Sequence, residues 1–231
     1  MSGEQRREAF RRLRILSGIE HTIPLTKRER YCISIMGGEP ADSPELVFAV
    51  IDGVQSRFLV NIVSSGDSLT EETAIQLAQA RLDNLHISVD LPGSGERSKL
   101  ERAFGLLRIA KERGVIPIIN VLISRGTDVE QLTQFCQEVM NAGFFISLLT
   151  MAPKVPRGIF SNAPLESVPT NAQLREIAIW LARKKALTGF ATSTFGYLSQ
   201  LLKVGKFDGE KQPRLWHCAR HFLLDRKFAI L

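Results

Sequence analysis

Five apolar, β-branched runs recur along the chain: YCISIM from Tyr31, FLVNIV from Phe58, NLHISV from Asn84, VIPIINVLI from Val115 and FFISLLT from Phe144. Between them the apolar positions repeat with helical period, so strand and helix alternate at a step of roughly thirty residues. That alternation predicts βαβ units and a parallel sheet. The runs are nearly continuously apolar, which predicts strands covered on both faces. Helix boundaries are marked as well. Thr127-Asp-Val-Glu130 has the spacing of a capping box, and so does Thr170-Asn-Ala-Gln173, which would open the helix Leu174–Lys185. Gly114 and Gly143 stand where helix C-caps should fall.

Outside this alternation the pattern changes. Gln5–Ile19 reads as a basic amphipathic helix leading into the first strand. Met151–Asn171 carries four prolines and reads as a long irregular connection. One more strand-like piece, Gly189–Ser193, precedes a short helix and the charged stretch Lys203–Arg214. Phe222–Leu231 looks like the first half of a hairpin. Three sections follow: a basic lead-in over 1–30, an α/β core over 31–193 and an appendage over 194–231.

The chain has 231 residues, 44% of them hydrophobic and 23% charged, which is ordinary for a globular protein with one sizeable core. Its formal charge of +6 is uneven. Residues 1–30 hold eight Lys/Arg against four Asp/Glu, residues 201–231 hold seven against three, and the middle holds 15 against 17. A basic excess at the two ends with a neutral centre is a solvated terminal helix sooner than a nucleic-acid face, so no nucleic-acid partner is expected. No apolar run reaches the length of a membrane span, and no secretory signal is legible, so the expected localisation is cytoplasmic. Three cysteines, Cys32, Cys136 and Cys218, are odd in number and far apart, which argues for a reducing compartment.

Functional groups in parallel α/β sheets gather at the carboxyl ends of the strands. Here those ends read Met36-Gly37-Gly38-Glu39-Pro40, Ser64-Ser65-Gly66, Ser88-Val89-Asp90, Asn120 and Thr150-Met151. Glycine lets a ligand approach bare backbone, and a carboxylate beside it can hold an ammonium group. Small polar residues also favour turns, so Ser64-Ser65-Gly66 reads equally well as a turn.

The order Met-Gly-Gly-Glu-Pro, a strand ending Ser-Ser-Gly, then Leu-Thr-Glu-Glu and Leu-His-Ile-Ser-Val-Asp resembles the core of radical S-adenosylmethionine enzymes. The helix LERAFGLLRIAKERG over 100–114 and the strand Ile116–Ile123 continue the likeness, which covers about residues 30 to 150. It implies a partial (β/α)6 barrel of five to six parallel strands with outer helices. It also implies S-adenosylmethionine as cofactor, 5′-deoxyadenosyl radical chemistry in the intact enzyme, and a peptide as one candidate substrate. Carried over by position, Gly37, Gly38 and Glu39, with Pro40 after them, would meet the methionine moiety. Ser88, Asp90 and Asn120 would lie near the ribose and carboxylate. Ser64 and Ser65 stand where the family more often has Thr-Asn ahead of glycine.

The same resemblance implies a [4Fe-4S] cluster held by three cysteines in a C-x3-C-x2-C loop, and no such loop is present. The expectation is that this chain alone does not assemble the cluster, being a fragment, a late start or a degenerate relative. Cys32 is read as a buried core residue instead. Trp216–Asp225 resembles the entry to a SPASM/twitch-type auxiliary-cluster extension, with Cys218 as one metal ligand. An open barrel side predicts an unpaired strand edge and self-association through it.

Other groups have plainer readings. His217, Cys218 and His221 lack an evident fourth ligand for a structural zinc. His86 reads as a strand-packing histidine, and Cys136 as core with Val129, Leu132, Val139 and Met140. Gly93-Ser94-Gly95 reads as a βα loop, and Lys154 and Arg157 as parts of a connecting loop or a lid. Two further functions stay open: a cluster-free S-adenosylmethionine-binding or scaffold protein, and an unrelated barrel enzyme for a phosphorylated metabolite.

Overall fold

The computed structural model describes residues 32–36, 38–56, 58–89, 97–150 and 169–192, together with 3–5, 7, 8 and 11. Five strands form one sheet: β1 (Cys32–Ile35), β2 (Leu59–Ser64), β3 (Asn84–Val89), β4 (Ile116–Ile123) and β5 (Phe145–Thr150). Five α-helices accompany them: α1 (Leu46–Gln55), α2 (Glu71–Gln79), α3 (Arg97–Glu112), α4 (Val129–Asn141) and α5 (Asn171–Thr188). The strands are hydrogen-bonded in chain order, β1-β2-β3-β4-β5, with no reversal. β1 pairs with β2 and β2 with β3 in parallel, Ser34 opposite Asn61 and Asn61 opposite Asn84. A doubly wound sheet reverses its strand order part-way, whereas barrel-type sheets step always in one direction. The parallel α/β expectation therefore holds, and the order is of the barrel kind.

The described residues fall into two compact units. The first comprises those up to Ser88 together with Ser98–Ile118. Its core is one apolar layer: Ile33, Ile35, Val60, Ile62, Leu85 and Ile87 from the strands, with Leu46, Val50, Leu77, Leu106 and Leu107 from the helices. Each such side chain contributes roughly 1.5–3 kcal/mol by leaving water. Burial in β1–β3 alternates strictly, so only one face is covered by the core. For β1–β3 this corrects the expectation of strands buried on both faces, whereas β4 is buried at consecutive positions from Pro117 to Val121 and meets it. The reason is chemical: beside Leu59 and Val63, the second face of β1–β3 carries Cys32, Ser34, Asn61, Asn84, His86 and Ser88. Cys32 is exposed there, so it is not a core residue.

The second unit holds the described residues from Ile119 onward, with Val89 and Arg97. Asn120 and Val121 of β4 are buried with Ile119. Helix α4 buries Leu132, Phe135, Cys136, Val139 and Met140, so the reading of Cys136 as core holds. It ends in a Gly143 of φ +74, with Phe144 N–H returning to the Val139 carbonyl at 3.1 Å. Helix α5 opens in the expected capping box of Thr170 and Gln173. Its Gln173 amide also donates to the Arg125 and Thr127 carbonyls, at 2.9 and 3.0 Å. Thr127 is not the N-cap of α4. That role falls to Asp128, which accepts from Gln131 N–H at 3.0 Å, while the Thr127 hydroxyl accepts from Ser124 N–H at 2.9 Å.

The strand-like piece near Gly189 is, among the described residues, a single parallel bridge. Ile146 N–H donates to the Phe190 carbonyl and Thr192 N–H to the Ile146 carbonyl, both at 2.9 Å. No helix among the described residues is long and apolar enough to cross a membrane. Residues 3–5, 7, 8 and 11 are helical, with Arg11 paired to Glu8 at 2.7 Å. The rest of that lead-in helix and the appendage from 194 lie outside the described residues.

Candidate functional site

β1 ends at Ile35, and the chain then bends through an exposed Gly38 with φ +53. A side chain there would be strained by the backbone, although nothing stands within 4 Å of where its Cβ would be. The backbone at Gly38 is therefore bare and open. Glu39 follows in extended conformation, φ −118 and ψ 108, as a residue before proline should be. Pro40 is buried and starts the short 3-10 turn Pro40–Asp42, for which Glu39 is the N-cap.

The Glu39 carboxylate joins this turn to the carboxyl end of β2. Its Oε1 accepts from Ala41 N–H at 3.0 Å and from the Ser64 hydroxyl at 2.7 Å. Its Oε2 accepts from Ser65 N–H at 2.7 Å and the Ser65 hydroxyl at 2.6 Å. Burial works against ionisation of this carboxyl. The bonds from the Ser65 hydroxyl, Ala41 N–H, the Ser64 hydroxyl and Ser65 N–H outweigh it and hold the group below the usual carboxylate range. The serine turn is itself ordered: Gly66 N–H donates to Ser64 Oγ at 2.9 Å and Asp67 N–H to Ser65 Oγ at 3.2 Å. Gly66, with φ +82, sits so close to β3 that a Cβ would fall 3.0 Å from Ile87 Cγ2. Helix α3 adds two ties to the loop beyond: Arg102 donates to the Leu69 carbonyl at 3.0 Å, and Lys99 pairs with Asp67 at 3.4 Å. The Lys99 pair is exposed and contributes little to stability.

The first unit thus brings Gly38, Glu39, Pro40, Ser64 and Ser65 together, and places an exposed Ser88 near the end of β3. Asn120 behaves otherwise. It is 4% exposed and lies inside β4, three residues short of the strand's end, so Ile123 and not Asn120 closes that strand. Gly37, Asp90, Met151 and Cys218 lie outside the described residues, as do Gly93-Ser94-Gly95, Lys154, Arg157, His217 and His221.

A second polar group runs across the half-buried second face of β1–β3. The Asn61 amide donates to Cys32 Sγ at 2.9 Å and to Ser34 Oγ at 3.4 Å, and the Asn84 amide donates to Asn61 Oδ1. Although Cys32 keeps exposed surface, partial burial of its sulfur is the largest influence on the thiol and pushes it up. The Asn61 amide opposes this, and the Asp83 carboxylate adds to it. Cys136 is pushed up to about 12 by burial alone. An iron–sulfur cluster of the kind expected takes three cysteine ligands, and the described residues hold only two cysteines, Cys32 and Cys136. Among the described residues no three His, Cys, Asp or Glu side chains converge as metal ligands. The open backbone at Gly38 leaves room for a ligand group against the main chain.

Sequence reasoning underrated Ser64 and Ser65, which hold Glu39, and passed over Arg102, which anchors the loop beyond them. The one signal for the serines is the spacing of two hydroxyls ahead of glycine at a strand end.

No protein-family model matches the chain. Among solved structures it is similar to two radical S-adenosylmethionine enzymes. One is SuiB of Streptococcus suis bound to S-adenosylmethionine, with a TM-score of 0.56 and 14% identity over 79% of this chain and 43% of that one. The same protein bound to its precursor peptide SuiA gives 0.56 and 14% over 87% and 44%. The second is native anSMEcpe with bound AdoMet, at 0.56 and 14% over 88% and 57%. The chain thus spans about half the length of the structures it matches. At such identities the likeness is one of fold: the chain shares with these enzymes an α/β fold of parallel strands, a partial barrel.

Proposed function

We propose that this chain is the S-adenosylmethionine-binding core of a radical enzyme that acts on a peptide. The observation that carries the reading is the open, left-handed Gly38 at the carboxyl end of β1, beside a carboxylate fixed to β2. Bare backbone at a strand end is where a ligand's amino and carboxylate groups can reach main-chain partners. Binding of S-adenosylmethionine by SuiB and anSMEcpe, and of a precursor peptide by SuiB, supports the choice of ligand and substrate class. When bound, S-adenosylmethionine supplies the 5′-deoxyadenosyl group for radical chemistry in the intact enzyme. In this reading Gly38 and its neighbours bind and orient the methionine end, and Ser88 and Asp90 lie toward the ribose. The described cysteines contribute no cluster ligands to it.

Calorimetry on the full chain tests the binding step. Micromolar affinity for S-adenosylmethionine is expected, and Gly38→Val should weaken it at least about tenfold by filling the open space and straining the backbone. The absence of any heat with the unaltered chain would remove the reading. A second reading, a cluster-free binding protein using the same mouth, is favoured by the lack of a C-x3-C-x2-C spacing in the sequence. Anaerobic reconstitution separates the two: iron uptake with release of 5′-deoxyadenosine supports the enzyme, and binding with neither supports the scaffold.

A further inference from the structure

We propose that Glu39 is a positioning residue and not the counter-ion of a bound ammonium group: its carboxylate is a strut, held by Ser64 and Ser65, that fixes the Gly38 backbone in the shape a ligand meets. The inference rests on reading this mouth as the methionine site, and it changes which atoms do the binding. An ionised carboxylate offers about four lone-pair sites. All four are occupied by protein donors: Ala41 N–H and the Ser64 hydroxyl on Oε1, Ser65 N–H and the Ser65 hydroxyl on Oε2. An incoming ammonium group would have to displace one of these short bonds.

The direction of the hydroxyls is also decided. Each serine oxygen already accepts a backbone N–H two residues on, from Gly66 for Ser64 and from Asp67 for Ser65, which turns each O–H toward the carboxylate. The network closes on itself, and the carboxylate has no acceptor site left over for a ligand's ammonium group. Glu39 and the buried Pro40 follow Gly38 in succession and tie the chain after the bend to the short turn and to the end of β2.

The experiment uses the full chain with Ser65→Ala, Glu39→Ala, the double variant and Ser65→Thr. Two readouts are taken: calorimetric affinity for S-adenosylmethionine, and hydrogen exchange at the Ala41 and Ser65 amides. A strut predicts that Ser65→Ala and Glu39→Ala each weaken binding about tenfold, as loss of a hydrogen bond to a charged group should. The double variant should be no worse than either single one, and Ser65→Thr, which keeps the hydroxyl, should restore affinity. Exchange at Ala41, which sits on the opposite carboxylate oxygen, should quicken about tenfold in Ser65→Ala while the β2 and β3 amides hold their protection. A counter-ion predicts instead that Glu39→Ala alone loses affinity and Ser65→Ala changes nothing, which would overturn the strut. Unchanged exchange at Ala41 in Ser65→Ala would overturn it too. If the unaltered chain binds no S-adenosylmethionine, the ligand assignment fails, and the exchange readout still decides the strut.

Discussion

A carboxylate next to a proline-started turn can spend its oxygens on solvent or on the chain, and Glu39 gives them to the chain. Its carboxyl is harder to bury charged, yet four protein donors bring its pKa below the ordinary value. A group whose folded pKa is depressed stabilises the fold above its unfolded pKa and loses that contribution as pH falls through the folded one. The stability difference between the unaltered chain and Glu39→Gln should therefore be full near pH 7. It should shrink through the acid range below about pH 4.3, the ordinary glutamate value. Urea midpoints taken from pH 7 down to pH 3 measure it, and a difference that stays constant would mean the four bonds do not favour the ionised form. The importance of Glu39 was legible from its place after two glycines at a strand end. The serines opposite were not, because their reach depends on how β1 and β2 align, and Cys32 was misjudged for the same reason. Its apolar neighbours in sequence, Ile33 and Ile35, point to the other face of the sheet.

Between elements, Asp83 is the residue that knits the amino-terminal edge of the sheet. Its side chain accepts from Val60 N–H at 2.8 Å, its own N–H donates to the Val60 carbonyl at 3.2 Å, and its carbonyl accepts from Ile116 N–H at 2.9 Å. Asp83→Ala removes only the side-chain bond and leaves a strand N–H without its acceptor, so a loss of about 1–3 kcal/mol is expected in urea unfolding. A change below about 0.5 kcal/mol, the size of an ordinary surface substitution, would mean that water replaces the carboxylate without penalty. Most element boundaries could be read directly. Gly114 and Gly143 take positive φ at helix ends, and Thr170 with Gln173 makes the expected reciprocal cap. The exception at α4 has a local cause: Asp128 caps as well as threonine does, and Thr127 is buried and engaged with Ser124.

At the scale of the molecule, a ligand that binds only the folded chain stabilises it by mass action. S-adenosylmethionine at a hundred times its Kd should add about 2.7 kcal/mol. For a chain of this length that corresponds to a rise in Tm of roughly 5–10 °C. Thermal unfolding with and without the ligand measures it, and an unmoved transition under saturating ligand would count against a site formed by the fold. The alternation of strand and helix, the parallel sheet and nearly all the caps were determined by the sequence alone. Period, turn chemistry and capping act over a few residues, so local composition carries them. The stepwise strand order, the polar face of β1–β3, the withdrawal of Asn120 into β4 and the union of Glu39 with Ser64 and Ser65 were decided only by the tertiary structure. Each depends on the register and pleat of strands far apart in the chain, where a shift of one residue exchanges the covered face for the open one.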